Sequence, residues 1–220
     1  MSIRSLTTLS ATLKSAITGM LTTHSVPIRR TPGLTNGIDA YQKIMSSPSL
    51  TAGTVSSDAT FQTTFTTFYK LFVGSGVSKT AAVPYRKKYF AIFDKYIKLK
   101  NAGKRFTYED VFRDVSAITG KNESSFSSKI YHTLFPDYPI YDSVVGIKHL
   151  GFSRPRTNAD YEDYCNYFSG AMVGGHVLCS PSDRAWLLGE FRRIYPASVT
   201  FTDAKVLDFV LWIDRKPQLL

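Results

Sequence analysis

Lys129 and Asp142, thirteen residues apart, lie in the stretch of this chain whose residue types best suit chemistry. It runs Thr119-Gly-Lys-Asn-Glu-Ser-Ser-Phe-Ser-Ser-Lys129 and on through His132 and Pro139-Ile140-Tyr141-Asp142 to Gly151. The order reads as a helix end, a polar hairpin, a helix with one lysine near its start, a proline-bounded loop, and an aspartate opening the next helix. Hairpin amides and the helix N-terminus behind them form a docking place for a phosphate. Lys129 is expected in the first turn of that helix, where the dipole disfavours positive charge and eases loss of a proton. A partly neutral amine is a nucleophile. Each group also has a plainer reading: Lys129 as a solvated helix lysine, Asp142 as a helix cap or first-turn acid. His132 shares the helical face of Lys129 and reads equally as a satisfied structural histidine.

The elements that must position these residues read as helices. Ile3, Leu6, Leu9, Leu13, Ile17 and Met20 line one side of a helix from about Ile3 to Leu21. Asp58 caps a helix carrying Phe61, Phe65, Phe68, Tyr69 and Phe72, stopped by Gly74-Ser75-Gly76. A second runs from about Pro84 to Leu99 with Tyr85, Tyr89, Ile92, Phe93, Tyr96 and Ile97 inward. Thr107 caps a third through Ile118, with Glu109 and Asp110 in its first turn, and Gly120 closes it. Ser124 or Ser125 opens the fourth, which Phe135 to Pro139 breaks. A fifth starts near Tyr141 and ends at Leu150-Gly151. Asn158 caps a sixth through Phe168, Pro181-Ser182-Asp183 starts a seventh to Ile194, and Thr202-Asp203 begins the last, apolar nearly all round. Strand alternation is weak everywhere, and Val199 to Phe201 is its best stretch.

Composition narrows the function classes. In 220 residues, 43% hydrophobic with 15 Phe and 13 Tyr, there is ample material for a buried core. No apolar run reaches the length needed to cross a bilayer, so no membrane partner is expected. Two cysteines, Cys165 and Cys179, make neither a disulfide framework nor zinc spacing, so no metal or cofactor is expected and the compartment reads as reducing. Lys and Arg exceed Asp and Glu by 27 to 17, which suits a polyanion. The densest basic stretch is Arg86-Lys87-Lys88 with Lys95, Lys98, Lys100, Lys104 and Arg105, a phosphate track or a solvated helix face. Residues 1–57 hold twenty Ser or Thr and Asp39 as their one acid. They read as an N-terminal extension, either packed on the body or a mitochondrial transit segment, before a helical domain over 58–220. The expected location is cytoplasmic, with mitochondrial or nuclear as alternatives.

The Lys129 to Asp142 block resembles the helix-hairpin-helix DNA glycosylase superfamily, which includes endonuclease III and the 8-oxoguanine glycosylases. There a hairpin grips the DNA backbone, a lysine follows on the second helix, and a catalytic aspartate follows a Pro-Val/Ile element, matched here by Lys129, Asp142 and Pro139-Ile140. The resemblance is strongest over Thr107 to Gly151. This chain departs from it in keeping only Gly120 of the hairpin glycines and in its shorter Lys-to-Asp interval.

The resemblance implies an all-α, two-lobed helical bundle around a cleft and an enzyme that removes a damaged or modified base from double-stranded DNA. The base would be flipped out, and no protein partner is required. Asp142 would stabilise charge developing at the sugar C1′, and Lys129 would attack that carbon to form a Schiff base. Position in the related fold makes Phe61, Gln62, Phe65, Tyr69, Asp208 and Trp212 candidates for the base pocket; core packing is the alternative for the aromatics. Lys121, Asn122, Ser125 and Ser128 at the hairpin, Arg86, Lys87 and Lys88, and Arg154 and Arg156 are the candidate DNA contacts. A non-catalytic nucleic-acid-binding helical domain is the competing reading. Repair and defence against modified phage DNA fit the chemistry equally.

Overall fold

The computed structural model describes residues 18, 37–71, 79–143, 146–147, 150–170 and 180–214; the side chains of 79–83 and 212–214 fall outside that description. The described residues form helices and loops without a strand, an all-α fold. The expected helix from Ile3 to Leu21 lies outside them except at Thr18, which is helical and donates its hydroxyl to Glu190 Oε1 at 2.8 Å. Two compact units divide the chain: Ile28–Leu134, and Phe135–Leu220 together with Met1–Pro27. The composition shift near Asp58 lies inside the first, so residues 37–57 of the Ser/Thr-rich segment belong to the same unit as 58–134.

The first unit holds α1 (Gly37–Met45), α2 (Pro48–Ala52), α3 (Ala59–Phe68), α4 (Lys79–Asn101), α5 (Tyr108–Thr119) and α6 (Ser124–Leu134). Local signals set most of their ends. Asp58 caps α3 as expected, accepting the Phe61 amide at 2.8 Å and the Ser49 hydroxyl. Those bonds hold its carboxyl below the ordinary range, the Phe61 amide contributing most. Thr107 and Asp110 form a reciprocal capping box at the start of α5, and Gly120, at φ +67°, ends it in the left-handed conformation that favours glycine.

Two ends differ from expectation. α3 stops at Phe68, ahead of Gly74, with Lys70 at φ +50° just past its end. α4 begins at Lys79 and carries Pro84 inside rather than at its start. Tyr85, expected inward, is 38% exposed; packing begins one turn later at Tyr89, whose ring lies 6.3 Å from Phe65 and 5.9 Å from Phe126.

Aromatic rings from α3 and α4 fill this core. Phe65 is fully buried with its ring 5.9 Å from Phe90 and 5.5 Å from Phe93, and Phe61 stacks on it at 5.4 Å. Burying one such side chain contributes about 2–3 kcal/mol. Against α4 packs α5, and against α5 packs α6, so the helix bearing Lys129 is braced on the apolar face of Tyr108, Val111 and Val115.

The second unit holds α7 (Asn158–Ser169), α8 (Pro181–Ile194), a 3-10 turn (Pro196–Thr200) and α9 (Asp203–Asp214). Thr157, not Asn158, caps α7, through a capping box with Asp160. Val199 to Phe201 forms no strand: Val199 lies in the 3-10 turn, held by the Phe191–Tyr195 end of α8. α9 packs on both α7 and α8, with Phe209 stacked 5.9 Å from Phe191 and 6.0 Å from Phe201. The proline-bounded loop is anchored by hydroxyls of α7: Tyr161 donates to Pro139 O at 2.5 Å and Tyr164 to Ile140 O at 3.1 Å. Of the expected fifth helix, Ser143, Gly146 and Ile147 are helical, and the Gly146 amide bonds Asp142 O at 2.6 Å.

Candidate functional site

The turn before α6 is closed on itself by its own polar side chains. Lys121 N bonds Thr119 Oγ1 at 3.2 Å, Glu123 N bonds Ser116 Oγ at 3.2 Å, and Asn122 Oδ1 accepts Ser124 N at 3.2 Å. The Asn122 side chain thus takes the first amide of α6, and these three amides, expected to face a phosphate, are already spent on the protein. The Lys121 side chain is exposed. Ser128 is fully buried and bonds Ser125 O at 3.2 Å, which removes it as a DNA contact.

Because α6 begins at Ser124, Lys129 is its sixth residue, in the second turn rather than the first. The dipole argument for its reactivity therefore loses its geometric basis. Burial takes its place. Lys129 is 4% exposed, its Nζ donates to Ser125 O at 2.9 Å and Ser125 Oγ at 2.6 Å, and it stands 5.8 Å from the centre of the Tyr69 ring. One turn on, His132 is fully buried with its Nε2 2.9 Å from the Tyr41 hydroxyl. The solvated-lysine reading fails, and the structural reading of His132 fits.

The other expected base-pocket residues of this unit are engaged elsewhere. Gln62 donates its amide to Val55 O at 3.0 Å and Ser56 O at 2.8 Å, fastening the loop before α3. Phe65 offers no face to a ligand, being fully buried, and Phe61 is 3% exposed beside it. Tyr69 differs from both, with its ring under the Lys129 ammonium.

Asp142 belongs to the second unit, is half-buried, and starts the helical turn that Gly146 continues. Tyr141 before it is fully buried, and burial pushes its hydroxyl up to about 12, with Arg154 opposing and the Asp142 charge adding. The Tyr164 hydroxyl is raised as well, by burial first and then by the negative charges of Asp208 and Asp142. Both carboxylates therefore act on one hydroxyl of α7. Asp208 is 4% exposed and accepts the Lys205 ammonium at 2.7 Å, with Lys205 itself 1% exposed and 4.4 Å from the Phe209 ring centre. Burial lowers the Lys205 pKa against the pull of Asp208. Sequence reasoning passed over Lys205, although a Lys and an Asp three residues apart inside an apolar helix were a signal for it. Trp212 belongs to α9, and its side chain lies outside the described residues.

The basic stretch stands on α4 and the loop after it. Lys87, Lys88, Lys95, Lys98, Lys104 and Arg105 are exposed. Lys95 also bonds Asp114 at 2.6 Å, Lys100 donates to Leu134 O at the end of α6, and Arg86 is half-buried with its guanidinium 6.0 Å from the Phe90 ring centre. Lys87, Lys88, Lys95 and Lys98 recur at helical spacing over about 16 Å of axis, making one solvent-facing row. Arg154 and Arg156 are exposed. Among the described residues no three His, Cys, Asp or Glu side chains gather to hold a metal, and no helix is long and apolar enough to cross a membrane. No family model, curated protein or solved structure matches this chain.

Proposed function

We propose that the chain is a DNA glycosylase that excises a damaged or modified base, with Lys129 as nucleophile and Asp142 as the carboxylate that stabilises the developing sugar cation. The observation that carries this reading is the burial of Lys129 over the Tyr69 ring. Lysines are almost never buried without a purpose that repays the desolvation. This one stands on the helix where the resemblance sets the catalytic amine.

The chemistry divides between the two groups. As the C1′–N bond breaks, its electron pair leaves on the base, and positive charge gathers on C1′ and the ring oxygen, where an ionised Asp142 lowers its energy. The Lys129 amine, having lost a proton, forms a new C1′–N bond. Proton transfer to the ring oxygen opens the sugar to a Schiff base, from which loss of a 2′ proton expels the 3′ phosphate.

The test is incubation with duplexes carrying a panel of altered bases, followed separately by alkali and by borohydride. Alkali-labile breaks report base loss. A borohydride-trapped adduct that disappears in Lys129→Ala supports the Schiff base, and Asp142→Asn is expected to slow base release at least a hundredfold. A non-catalytic nucleic-acid-binding domain is the second reading, favoured by the exposed lysine row of α4. It is the conclusion if every substrate fails while DNA binding weakens with rising salt and with charge reversal at Lys87 and Lys88.

A further inference from the structure

Lys129 is 4% exposed, and an amine so placed meets a dissolved reactant only when its cover moves. Its bonds to Ser125 O and Ser125 Oγ, one turn back, belong to its own helix and travel with it. From outside α6 the ring of Tyr69 lies against the ammonium, 5.8 Å from Nζ to the ring centre. α6 itself is braced on α5, so access has to come from the covering side. Tyr69 stands there, the first residue past the end of α3.

That helix ends unlike its neighbours. Gly120 and Gly170 close α5 and α7 in the left-handed conformation, which costs glycine nothing. α3 makes a left-handed turn with Lys70, at φ +50° the one non-glycine residue of positive φ among the described residues. A Cβ in that conformation crowds the following carbonyl, so the turn is strained. Three amide bonds hold it: Tyr69 N to Phe65 O at 3.0 Å, Leu71 N to Thr66 O at 2.9 Å and Lys70 N to Thr67 O at 3.4 Å. Unwinding this one turn returns Lys70 to an ordinary φ and carries Tyr69 off the amine. Against it stands the burial of Tyr69 and Leu71, 8% and 3% exposed.

We propose that the turn at residues 69–71 is a gate over Lys129. Closed, it keeps water from the ammonium beneath the Tyr69 ring; opened by unwinding of the end of α3, with the rest of the unit folded, it admits a reactant. The gate concerns access alone and holds whatever Lys129 reacts with.

Pulse acetylation of the full chain with acetic anhydride, read residue by residue by mass spectrometry, tests it, with the exposed Lys87 and Lys88 as internal standards. Lys129 is expected to label at least tenfold more slowly than either. Opening one turn exposes little surface, so that rate is expected to stay flat in urea below the unfolding transition, whereas labelling through global unfolding climbs steeply. Tyr69→Ala is expected to speed labelling of Lys129 at least tenfold. Lys70→Gly relieves the closed turn and is expected to slow it at least threefold. Lys70→Ala removes the side chain, keeps the strained backbone, and is expected to stay within twofold of the parent. The proposal is overturned if Lys129 labels like Lys88, if its rate climbs with urea in step with unfolding, if folded Tyr69→Ala labels no faster, or if Lys70→Gly labels no more slowly than Lys70→Ala. Where Tyr69→Ala loses its helical circular dichroism, the Lys70 pair and the urea series decide. Base release from modified duplexes is read separately, so the glycosylase reading and the gate stand or fall apart.

Discussion

Among the described residues two lysines are buried, one in each unit, and their surroundings treat the charge differently. Lys205 in α9 meets a buried carboxylate, Asp208, at 2.7 Å. Lys129 in α6 donates to two oxygens of Ser125, both neutral, and lies over an aromatic face. An amine locked to a carboxylate in a desolvated helix is a structural ion, because taking either partner away strands the other. The hydroxyl, the carbonyl and the ring around Lys129 carry no formal charge. Burial alone therefore does not assign a role to either lysine, and the charge of the groups around each is what variants at the two sites compare.

The largest expected effect tests the structural half of that contrast. Lys205→Met leaves Asp208 buried without its ammonium and is expected to cost about 3–5 kcal/mol of unfolding free energy. The double variant Lys205→Met with Asp208→Leu should recover most of the loss in urea titrations. A double variant as unstable as the single would show that the pair's mutual attraction is not what holds this part of α9. Lys129→Met removes bonds to neutral oxygens and is expected to cost less, about 1–3 kcal/mol, while eliminating any borohydride-trapped adduct. Equal losses at the two sites would erase the distinction.

Smaller effects come from the ends of the helices. Thr107→Ala removes the cap of α5, the helix against which α6 packs, and is expected to cost about 1 kcal/mol by thermal unfolding. Asp58, Asp110 and Asp160 are each held below their ordinary range, by backbone amide bonds first, and Glu190 is lowered to about 2, chiefly by Arg193 and then by the Thr18 hydroxyl. These groups bind protons more readily unfolded than folded. Their contribution is complete above the ordinary carboxylate range and is lost as pH falls from about 4.5 toward 2. Melting temperature measured across that interval should fall, and less steeply in Asp58→Asn. Charge reversal of Lys87 and Lys88 is expected to move stability by under about 0.5 kcal/mol, since both are exposed. Its readout is the salt slope of DNA binding, which should become shallower.

Much of the helical frame was legible because the signals that end helices are local. Asp58, the Thr107–Asp110 box and Gly120 act within four residues of themselves, and each stands where the pattern puts it. The errors are equally local: Thr157 competes with Asn158 for the same cap, and α6 starts at Ser124, as expected, which already sets Lys129 beyond its first turn. The site was less legible. Gln62 looked like a reader of bases and proved to be bonded to the backbone of its own loop, and Phe65 and Ser128 proved to be interior. Helical periodicity says which residues share a face, not which neighbour that face meets.

From the sequence alone came the all-helical class, most helix boundaries and the net positive charge, all properties of single residues or of neighbours along the chain. Tertiary packing decided that Lys129 is desolvated over Tyr69 and that Lys205 and Asp208 pair out of water. Those outcomes depend on which groups remote segments exclude from solvent, and desolvation is a property of the assembled fold rather than of any residue in it.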